Sequence, residues 1–341
     1  MTSAMQSSRP KLHIVSNSDE RFFPGLSVAV ASVVAAASGK FDYHFMILDG
    51  GLNDNSLNEL DLRIKSIAKH KGISATVQSL PVDQRLLMAL PERRGSRMPY
   101  AKLILPEILS HLDSVIYLDA DILCFAGLEG VHAADGDSKW LLAGSLDFFD
   151  RIEKDCPWVD QLSSSERRMP YINSGMMWMN LKGLRELDFA SSAISARASI
   201  GEARHADQAV FNFLCRGRSF VLPKKFNHMT AVGSSRLLCK GVLDMNIHHI
   251  GAPKPWLGPP KTSNWLAHCL WHQAHAALFA CAPANQLPPP HDLATVRRKA
   301  MLYTFLNPMR ATHYRSDLRS LRDPGGLLDK AREHWAATAK S

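Results

Sequence analysis

The chain of 341 residues lacks any apolar stretch long enough to cross a bilayer. Its longest apolar run, residues 26–37, is interrupted by Ser27 and Ser32 and is shorter than the ~20 residues that a spanning helix needs. Residues 1–10 contain no apolar segment of the kind found in a secretory signal. These absences predict a cytoplasmic protein.

Cysteine is also scarce, and its spacing excludes two further classes of protein. The six cysteines are scattered, with no Cys-x-x-Cys pair, which argues against a disulfide framework and a structural zinc site. We expect them to be reduced and mostly buried. With 46% hydrophobic and 21% charged residues, the chain has the composition of a globular protein rather than a disordered or fibrous one.

What the sequence does contain is an alternation of short apolar strands and amphipathic helices from residue 11 onward. Such an alternation predicts an α/β fold with a mainly parallel sheet, flanked by helices, that binds ligands at the carboxyl ends of its strands. The predicted strands cover residues 12–15, 43–48, 73–80, 115–118, 140–146, 172–179 and 247–250, and the predicted helices begin at Pro24 or cover 57–68, 100–109 and 205–215.

The C-terminal part has a different composition. Prolines at 283 and 288–290 predict a linker over residues 283–290, after a main domain over 11–282, whereas residues 1–10 are expected to be disordered. Residues 291–341 carry ten Lys and Arg against five acids, and their apolar cluster is Met301, Leu302, Tyr303, Phe305 and Leu306. Such a segment either contacts an anionic membrane surface or covers the main domain as a packed helix.

Two carboxylates separated by one residue follow the predicted strand 115–118. Asp119 and Asp121 can both reach one hard cation, because side chains at i and i+2 of an extended chain point to the same side. A solvated turn is the alternative for this pair. His248, next to His249, can complete such a carboxylate site and favours a transition ion, or the pair can simply lie in a surface loop.

Several polar residues interrupt otherwise regular elements. Asn173, Ser174 and Gly175 break an apolar strand, and a glycine there marks either a close approach or a bulge. Asp207 and Gln208 lie at a helix start, where a carboxylate can also serve only as a cap. Near His248, Gly251 would let a phosphate approach the backbone and Lys254 would offset its charge.

Five blocks, in order, resemble glycosyltransferase family 8, the retaining nucleotide-sugar transferases that include lipopolysaccharide galactosyl- and glucosyltransferases. The resemblance extends from residue 11 to about residue 258. It implies a Rossmann-like fold of the GT-A type, which would place the catalytic, nucleotide-sugar-binding function in residues 11–282. The matching blocks are residues 14–19, 100–103, 117–122, 171–182 and 248–256.

The resemblance also implies a role for each site residue. The backbone near Asn17 and the side chain of Asp19 would read the uracil of a UDP-sugar, while Asp119, Asp121 and His248 would hold Mn²⁺ or Mg²⁺ against its diphosphate. The remaining residues would contact the phosphates or the sugar: Lys102, Gly251 and Lys254 on the diphosphate side, and Asn173, Asp207, Gln208 and Asp147 on the sugar or acceptor side.

This chain departs from the family at two positions. Where the family often has Asp-Gln-Asp, the chain has Asp207-Gln208-Ala209, so a double displacement through the third residue is excluded and a same-face, substrate-assisted route is favoured. Lys102 stands where relatives carry arginine, and a lysine lacks the planar fork needed for a bidentate phosphate contact.

The sequence therefore predicts a hexosyltransferase that uses UDP-galactose or UDP-glucose and a glycan acceptor, such as lipopolysaccharide or a lipid-linked glycan. No nucleic-acid partner is expected, and a peripheral contact with the inner membrane is one prediction. A sugar-nucleotide pyrophosphorylase or phosphotransferase is an alternative, but these usually have a Gly-rich loop where residues 16–19 contain no glycine. A non-catalytic nucleotide-sugar-binding protein is the other alternative.

Overall fold

The structure of the protein is a computed structural model. It describes residues 9–92, 96–134, 137, 139–199, 206–230, 241–250, 252–259, 265–280, 298, 301–302, 304–306 and 324–339. The predicted linker 283–290, Gly251, most of the predicted disordered N-terminus and much of the basic C-terminal segment lie outside these residues.

The N-terminal part consists of alternating strands and helices, as the periodicity predicts. Three parallel strands lie in the order β3-β2-β1, with β1 and β2 paired in register from Lys11–Asp42 to Ser18–Asp49. Pro24 lies in the first turn of the first helix, where its missing N–H costs nothing. The elements are β1 (Lys11–Ser18), α1 (Phe23–Ala35), β2 (Asp42–Asp49), α2 (Asp54–His70) and β3 (Ala75–Pro81).

The sheet then continues with strands of both directions, which makes it a mixed, mainly parallel sheet. Its seven described strands have the order β3-β2-β1-β4-β7-β6-β8. β7 is antiparallel to both β4 and β6, while β4 is parallel to β1 and β8 is parallel to β6. These strands are β4 (Ser114–Leu118), β6 (Leu142–Arg151), β7 (Pro170–Asn180) and β8 (Ser219–Leu222).

A second, three-stranded sheet lies next to the carboxyl end of β4. It consists of β5 (Ile122–Cys124), β9 (His228–Met229) and β10 (Asn246–His248), with β10 in the middle. Only three residues separate the end of β4 from the start of β5, namely Asp119, Ala120 and Asp121. The two sheets are therefore joined through the predicted metal-binding residues.

Helices cover both faces of the large sheet and give each face its own hydrophobic core. Side chains alternate along a strand, so on β1 Ile14 faces the core beneath α1 and α2, whereas Val15 faces the opposite core. Burial on both faces explains why these strands are almost continuously apolar. The other helices are α3 (Leu105–Ile108), α4 (Ser164–Arg167), α5 (Leu181–Glu186), α6 (Phe189–Ser199), α7 (Ala206–Leu214), α8 (Trp265–Leu278) and α9 (Pro324–Ala339).

The C-terminal helix α9 packs against α8 and the small sheet. Its Trp335 is 0% exposed, and its ring centroid lies 4.9 Å from that of Phe125, directly after β5. By contrast, Met301, Leu302, Phe305 and Leu306 are 56–87% exposed. In the part of the chain that the structure describes, no helix combines the length and the hydropathy that a membrane crossing requires.

The predicted helix over residues 100–109 is wrong in type. The chain there forms a 3₁₀ helix, Met98–Ile104, followed by the single turn of α3. Pro99 and Pro106 each lie in a first turn, and since proline cannot donate the i→i−4 bond, one continuous α-helix is interrupted. The short strands β5, β8 and β9 and the helices α4 to α6 and α8 were not predicted.

Gly25 is the point at which α1 meets the Asp119–Asp121 loop and the loop that carries Lys254. A Cβ at Gly25 would overlap the Trp256 indole and lie 2.7 Å from the Ala120 carbonyl oxygen. Trp256 is held there by its Nε1–H, which donates to the Arg21 carbonyl at 3.1 Å. A side chain at position 25 would thus displace both loops.

We expect Gly25→Ala to lower the free energy of unfolding by about 2 kcal/mol at most, after the gain in helix propensity is subtracted from the packing cost. The gain in helix propensity, about 1 kcal/mol, is smaller than the cost of a clash with backbone. Gly258→Ala is the matched control, because its Cβ would lie 3.5 Å from Pro253 in ordinary contact. Urea denaturation of both variants measures the difference, and equal midpoints would contradict the packing role of Gly25.

Candidate functional site

Asp119 and Asp121 lie where β4 ends, and backbone hydrogen bonds hold both residues. The Asp119 N–H donates to the Gly175 carbonyl of β7 at 2.7 Å, which continues the sheet pairing by one residue. The Asp121 carbonyl accepts the His249 N–H at 2.9 Å. Both carboxylates are therefore fixed on rigid backbone at the carboxyl edge of the sheet.

His248 reaches the same place because β10 pairs with β5. The two strands are antiparallel, and His248 lies opposite Ile122, the residue directly after Asp121. His249 points the other way along the strand, toward α8, where its ring centroid is 6.3 Å from that of His268. Burial lowers the pKa of His249 well below its usual value, so this imidazole is neutral. The alternation of the strand thus selects His248 over His249 for the site.

Asp119, Asp121 and His248 form a group with the spacing of a metal site. One ligand atom from each of these described residues lies within 4.8 Å of the others. His248 Nε2 is 3.2 Å from Asp121 Oδ1 and 3.8 Å from Asp119 Oδ2. Two carboxylates and one imidazole combine hard oxygen with nitrogen ligands, so the donor set fits a divalent ion such as Mn²⁺ or Mg²⁺.

Two lysines balance the negative charge of this site. Lys102, 3% exposed, places its Nζ 3.3 Å from Asp119 and 3.1 Å from Asp207. Burial acts to lower the pKa of Lys102, but Asp119 and Asp207 outweigh it and raise the pKa, so the ammonium is charged. The sequence prediction placed Lys102 on the donor phosphates, whereas in this structure it lies against carboxylates.

Lys254 contacts the other carboxylate of the pair. Its Nζ lies 2.5 Å from Asp121 Oδ2 and 2.6 Å from the His249 carbonyl oxygen. Burial alone would raise the pKa of Asp121, but Lys254 and His248 reverse this and hold the pKa well below its usual range. Asp121 is therefore ionised, as a metal ligand must be.

The two residues predicted to read a base lie at the end of β1. Asn17 Oδ1 is 2.7 Å from the Tyr117 hydroxyl, and its Nδ2 donates to the Met98 carbonyl at 2.9 Å. The Tyr117 hydroxyl is also 2.8 Å from Asp119 Oδ1, which links Asn17 to the metal group. Asp19 lies two residues further along the chain, where its Oδ1 accepts the Phe22 N–H at 2.9 Å just before α1 begins.

The residues predicted for the sugar side form one hydrogen-bonded cluster, in which Asp147 is half-buried and the other residues are buried. Asn173 Nδ2 donates to Asp147 Oδ2 at 2.8 Å and to Gln208 Oε1 at 3.0 Å. Gln208 Nε2 donates to the same Asp147 oxygen at 3.2 Å. Asp207 sits beside this cluster, since its Oδ2 accepts the Ser174 hydroxyl at 3.3 Å. Residues from β6, β7 and α7 therefore converge on one point.

The sequence predicted either a close approach or a bulge at Gly175 of β7, and the structure shows a close approach of His248. A Cβ at Gly175 would overlap the His248 imidazole. His248 can lie against β7 only because this side chain is absent. The other glycine predicted for the site, Gly251, lies outside the described residues.

Two contributors were missed by the sequence reasoning. Asn227, 0% exposed, has its Oδ1 2.9 Å from His248 Nδ1 and donates through Nδ2 to Asn173 Oδ1 at 2.8 Å. Nothing in the local sequence distinguishes it from an ordinary loop asparagine. Tyr117 was counted only as an apolar strand residue, although its position two residues before Asp119 placed it on the same face.

Comparisons with known proteins agree with this geometry. The model of the family described as Glycosyl transferase family 8 matches residues 13–258. A lipopolysaccharide 1,2-glucosyltransferase of Escherichia coli (strain K12) is 26% identical over 258 residues, which covers 72% of this chain and 72% of that protein.

Solved structures share the fold. A galactosyltransferase, LgtC, in complex with donor and acceptor sugar analogues has a TM-score of 0.55 at 22% identity, over 72% of this chain and 89% of that one. The bifunctional glycosyltransferase WbbM has a TM-score of 0.56 at 17% identity, over 74% of this chain and 48% of that chain. The match thus spans about half the length of WbbM. Because the family model covers well over half of the sequence and the sheet is that of solved glycosyltransferases, the chain belongs to glycosyltransferase family 8 and is a retaining glycosyltransferase with the GT-A fold.

Proposed function

We propose that the protein transfers glucose or galactose from a UDP-sugar to a glycan acceptor, lipopolysaccharide or another cell-surface glycan, in the cytoplasm. The observation that carries this proposal is the convergence of Asp119, Asp121 and His248 within 4.8 Å, beside Lys254. The names of the lipopolysaccharide glucosyltransferase and of the galactosyltransferase support the choice of sugars and acceptor.

Charge develops on the leaving group of such a reaction. Breaking a glycosyl–phosphate bond leaves the electrons on UDP, and a Mn²⁺ held by Asp119, Asp121 and His248 would supply Lewis-acid stabilisation there. Lys254 supplies the second positive charge, because its ammonium already lies at this carboxylate group. The backbone near Asn17 and the side chain of Asp19, at the end of the neighbouring strand, would contact the uracil.

The sugar side offers a different chemistry. Asp147, Asn173 and Gln208 form a polar surface that can orient a hexose and support an oxocarbenium-like centre. Ala209 is buried in α7 and carries no nucleophile. We therefore propose a same-face route, in which the leaving phosphate accepts the proton of the attacking hydroxyl, rather than a covalent intermediate at position 209.

A panel of UDP-sugars tests this function. With Mn²⁺ present, the protein is expected to release UDP from UDP-glucose or UDP-galactose and to form a glycoside when an oligosaccharide acceptor is added. Formation of UTP and hexose 1-phosphate from UDP-hexose and diphosphate would instead support a pyrophosphorylase. Binding without any turnover would support a non-catalytic nucleotide-sugar-binding protein.

The metal group can be tested without turnover. Asp121→Asn is expected to weaken Mn²⁺ binding by at least about 100-fold, since a neutral amide oxygen replaces an anionic carboxylate and even the loss of a residue that only orients a ligand costs about 10–100-fold. Electron spin resonance of free Mn²⁺ measures the affinity. Asp160→Asn is the control, because the Asp160 side chain is 99% exposed. Equal affinity in the two variants would remove Asp121 from the site.

Lys254 gives a kinetic prediction. Lys254→Ala is expected to lower kcat by about 10²–10³-fold, because a cation that meets developing charge acts in the transition state. Binding of UDP should change less, and Mn²⁺ affinity should not fall, since Asp121 loses a competing cation. The exposed Lys182→Ala is the matched control. A change confined to KM would mean that Lys254 only binds the donor.

The basic C-terminal segment is the basis of a proposal about location. We propose that the exposed residues Leu302 and Phe305, with Arg298 nearby, contact an anionic membrane surface where a lipid-linked acceptor would be presented. Deleting residues 291–341 is a poor test, because it removes the buried Trp335 of α9. A double variant, Leu302→Ser with Phe305→Ser, keeps α9 intact.

We expect this double variant to lose sedimentation with anionic phosphatidylglycerol vesicles while its hydrolysis of UDP-sugar is unchanged. The control exchanges two other exposed apolar residues, Leu62→Ser with Met88→Ser, which are 68% and 70% exposed. If the wild-type protein ignores anionic vesicles at low salt, or sediments equally with zwitterionic ones, the membrane contact is wrong.

A further inference from the structure

Asn227 connects the metal side of the site to the sugar side. It lies between the 3₁₀ turn Lys224–Phe226 and β9, is fully buried, and uses both ends of its amide. Its Nδ2 donates to Asn173 Oδ1 at 2.8 Å, and its Oδ1 lies 2.9 Å from His248 Nδ1. Neither the family match nor the predicted site residues assign it a role.

The orientation of this amide follows from two backbone donors. The Gly175 N–H donates to Asn173 Oδ1 at 2.9 Å, and a backbone N–H can only donate. The Ser174 N–H donates to Gln208 Oε1 at 3.0 Å, and this same oxygen accepts Asn173 Nδ2 at 3.0 Å. Both ends of the Asn173 amide are thereby identified. Asn227 must then present its NH₂ group to Asn173 and its oxygen to His248.

The proton on His248 is located by the same reasoning. Since Asn227 Oδ1 is an acceptor, the nitrogen that faces it, His248 Nδ1, must carry the hydrogen. The lone pair of the neutral imidazole is then on Nε2, the atom that faces Asp121 Oδ1 at 3.2 Å. Two acceptor atoms at that distance repel each other unless a proton or a metal ion lies between them, and a divalent ion bound by Nε2 and Asp121 would take that place.

We propose that Asn227 is a positioning residue that holds His248 in the Nδ1–H tautomer, with Nε2 directed at the divalent cation. The inference deepens the proposed function and rests on its metal site. Gly175 leaves room for this ring orientation, because a Cβ there would overlap Cε1 and Nδ1 of the imidazole. The same Asn227 amide also orients Asn173, whose Nδ2 donates to Asp147.

Two variants of nearly the same size as asparagine separate the loss of the hydrogen-bond acceptor at position 227 from a change in side-chain volume. Asn227→Leu keeps the volume and removes the acceptor, so its Mn²⁺ affinity, measured by electron spin resonance without nucleotide, should fall about 10–100-fold. Asn227→Asp keeps an oxygen for the Nδ1–H, so its affinity should stay within about threefold of wild type. Its second oxygen faces Asn173 Oδ1, and the resulting repulsion should lower kcat instead.

Asn212→Leu is the matched control. Asn212 is also a buried asparagine with both amide atoms bonded, but it joins α7 to Ile172 of β7 rather than to His248. It should bind Mn²⁺ like the wild type. Nitrogen-15 spectra of histidine-labelled protein, with the His248 signals identified by their loss in His248→Gln, should show the Nδ1–H form in metal-free wild type.

The outcomes distinguish a failure of the proposed role of Asn227 from a failure of the proposed function. An Nε2–H tautomer in the wild type, or unchanged Mn²⁺ affinity in Asn227→Leu, would overturn the role of Asn227 while the proposed function stands. A wild type that binds no Mn²⁺ would overturn the metal site of the proposed function, and the spectra would still test the tautomer. If Asn227→Leu fails to fold, a loss of affinity in Asn227→Asp equal to that of His248→Gln would contradict the role.

Discussion

The concentration of carboxylates at the end of β4 is the constraint that the rest of the site satisfies. Asp119, Asp121 and Asp207 lie close enough to share cations, and unpaired charges of this kind are costly to bury. Lys102 and Lys254 each contact this group, yet three negative charges against two positive ones leave the group anionic. A divalent cation would supply further positive charge, and His248 lies where it would serve as a third ligand.

The pairing of strands in the two sheets brings together site residues that lie far apart in the sequence. Asp119 and Asp121 connect the two sheets, and the pairing of β10 with β5 places His248 beside them. Gly175 leaves space for the imidazole ring of His248. The sugar-side residues arrive on β6, β7 and α7, and Asn173 connects them to the metal side. The proposed metal side and sugar side of the site are thus connected by hydrogen bonds rather than by one shared loop.

Sequence alone predicted the parts of this arrangement that are local. Apolar strands on both faces of a sheet give continuous hydrophobic runs, so β1, β2, β4 and β7 were predicted, and Asp119 with Asp121 followed from i and i+2 spacing. For residues 100–109 the wrong type of helix was predicted. Their apolar periodicity is that of an α-helix, but two prolines interrupt a continuous one. Asn227 could not be predicted, because its partners Asn173 and His248 are 54 and 21 residues away.

The anomeric configuration of the first product tests the account most directly. Proton NMR during turnover of a UDP-α-hexose with Mn²⁺ would distinguish the two outcomes before mutarotation mixes them. A site that orients the sugar beside Asp147 and Gln208, and carries alanine at 209, should yield the α-configured product by same-face attack. A β-configured product, formed by attack from the opposite face, would contradict the account.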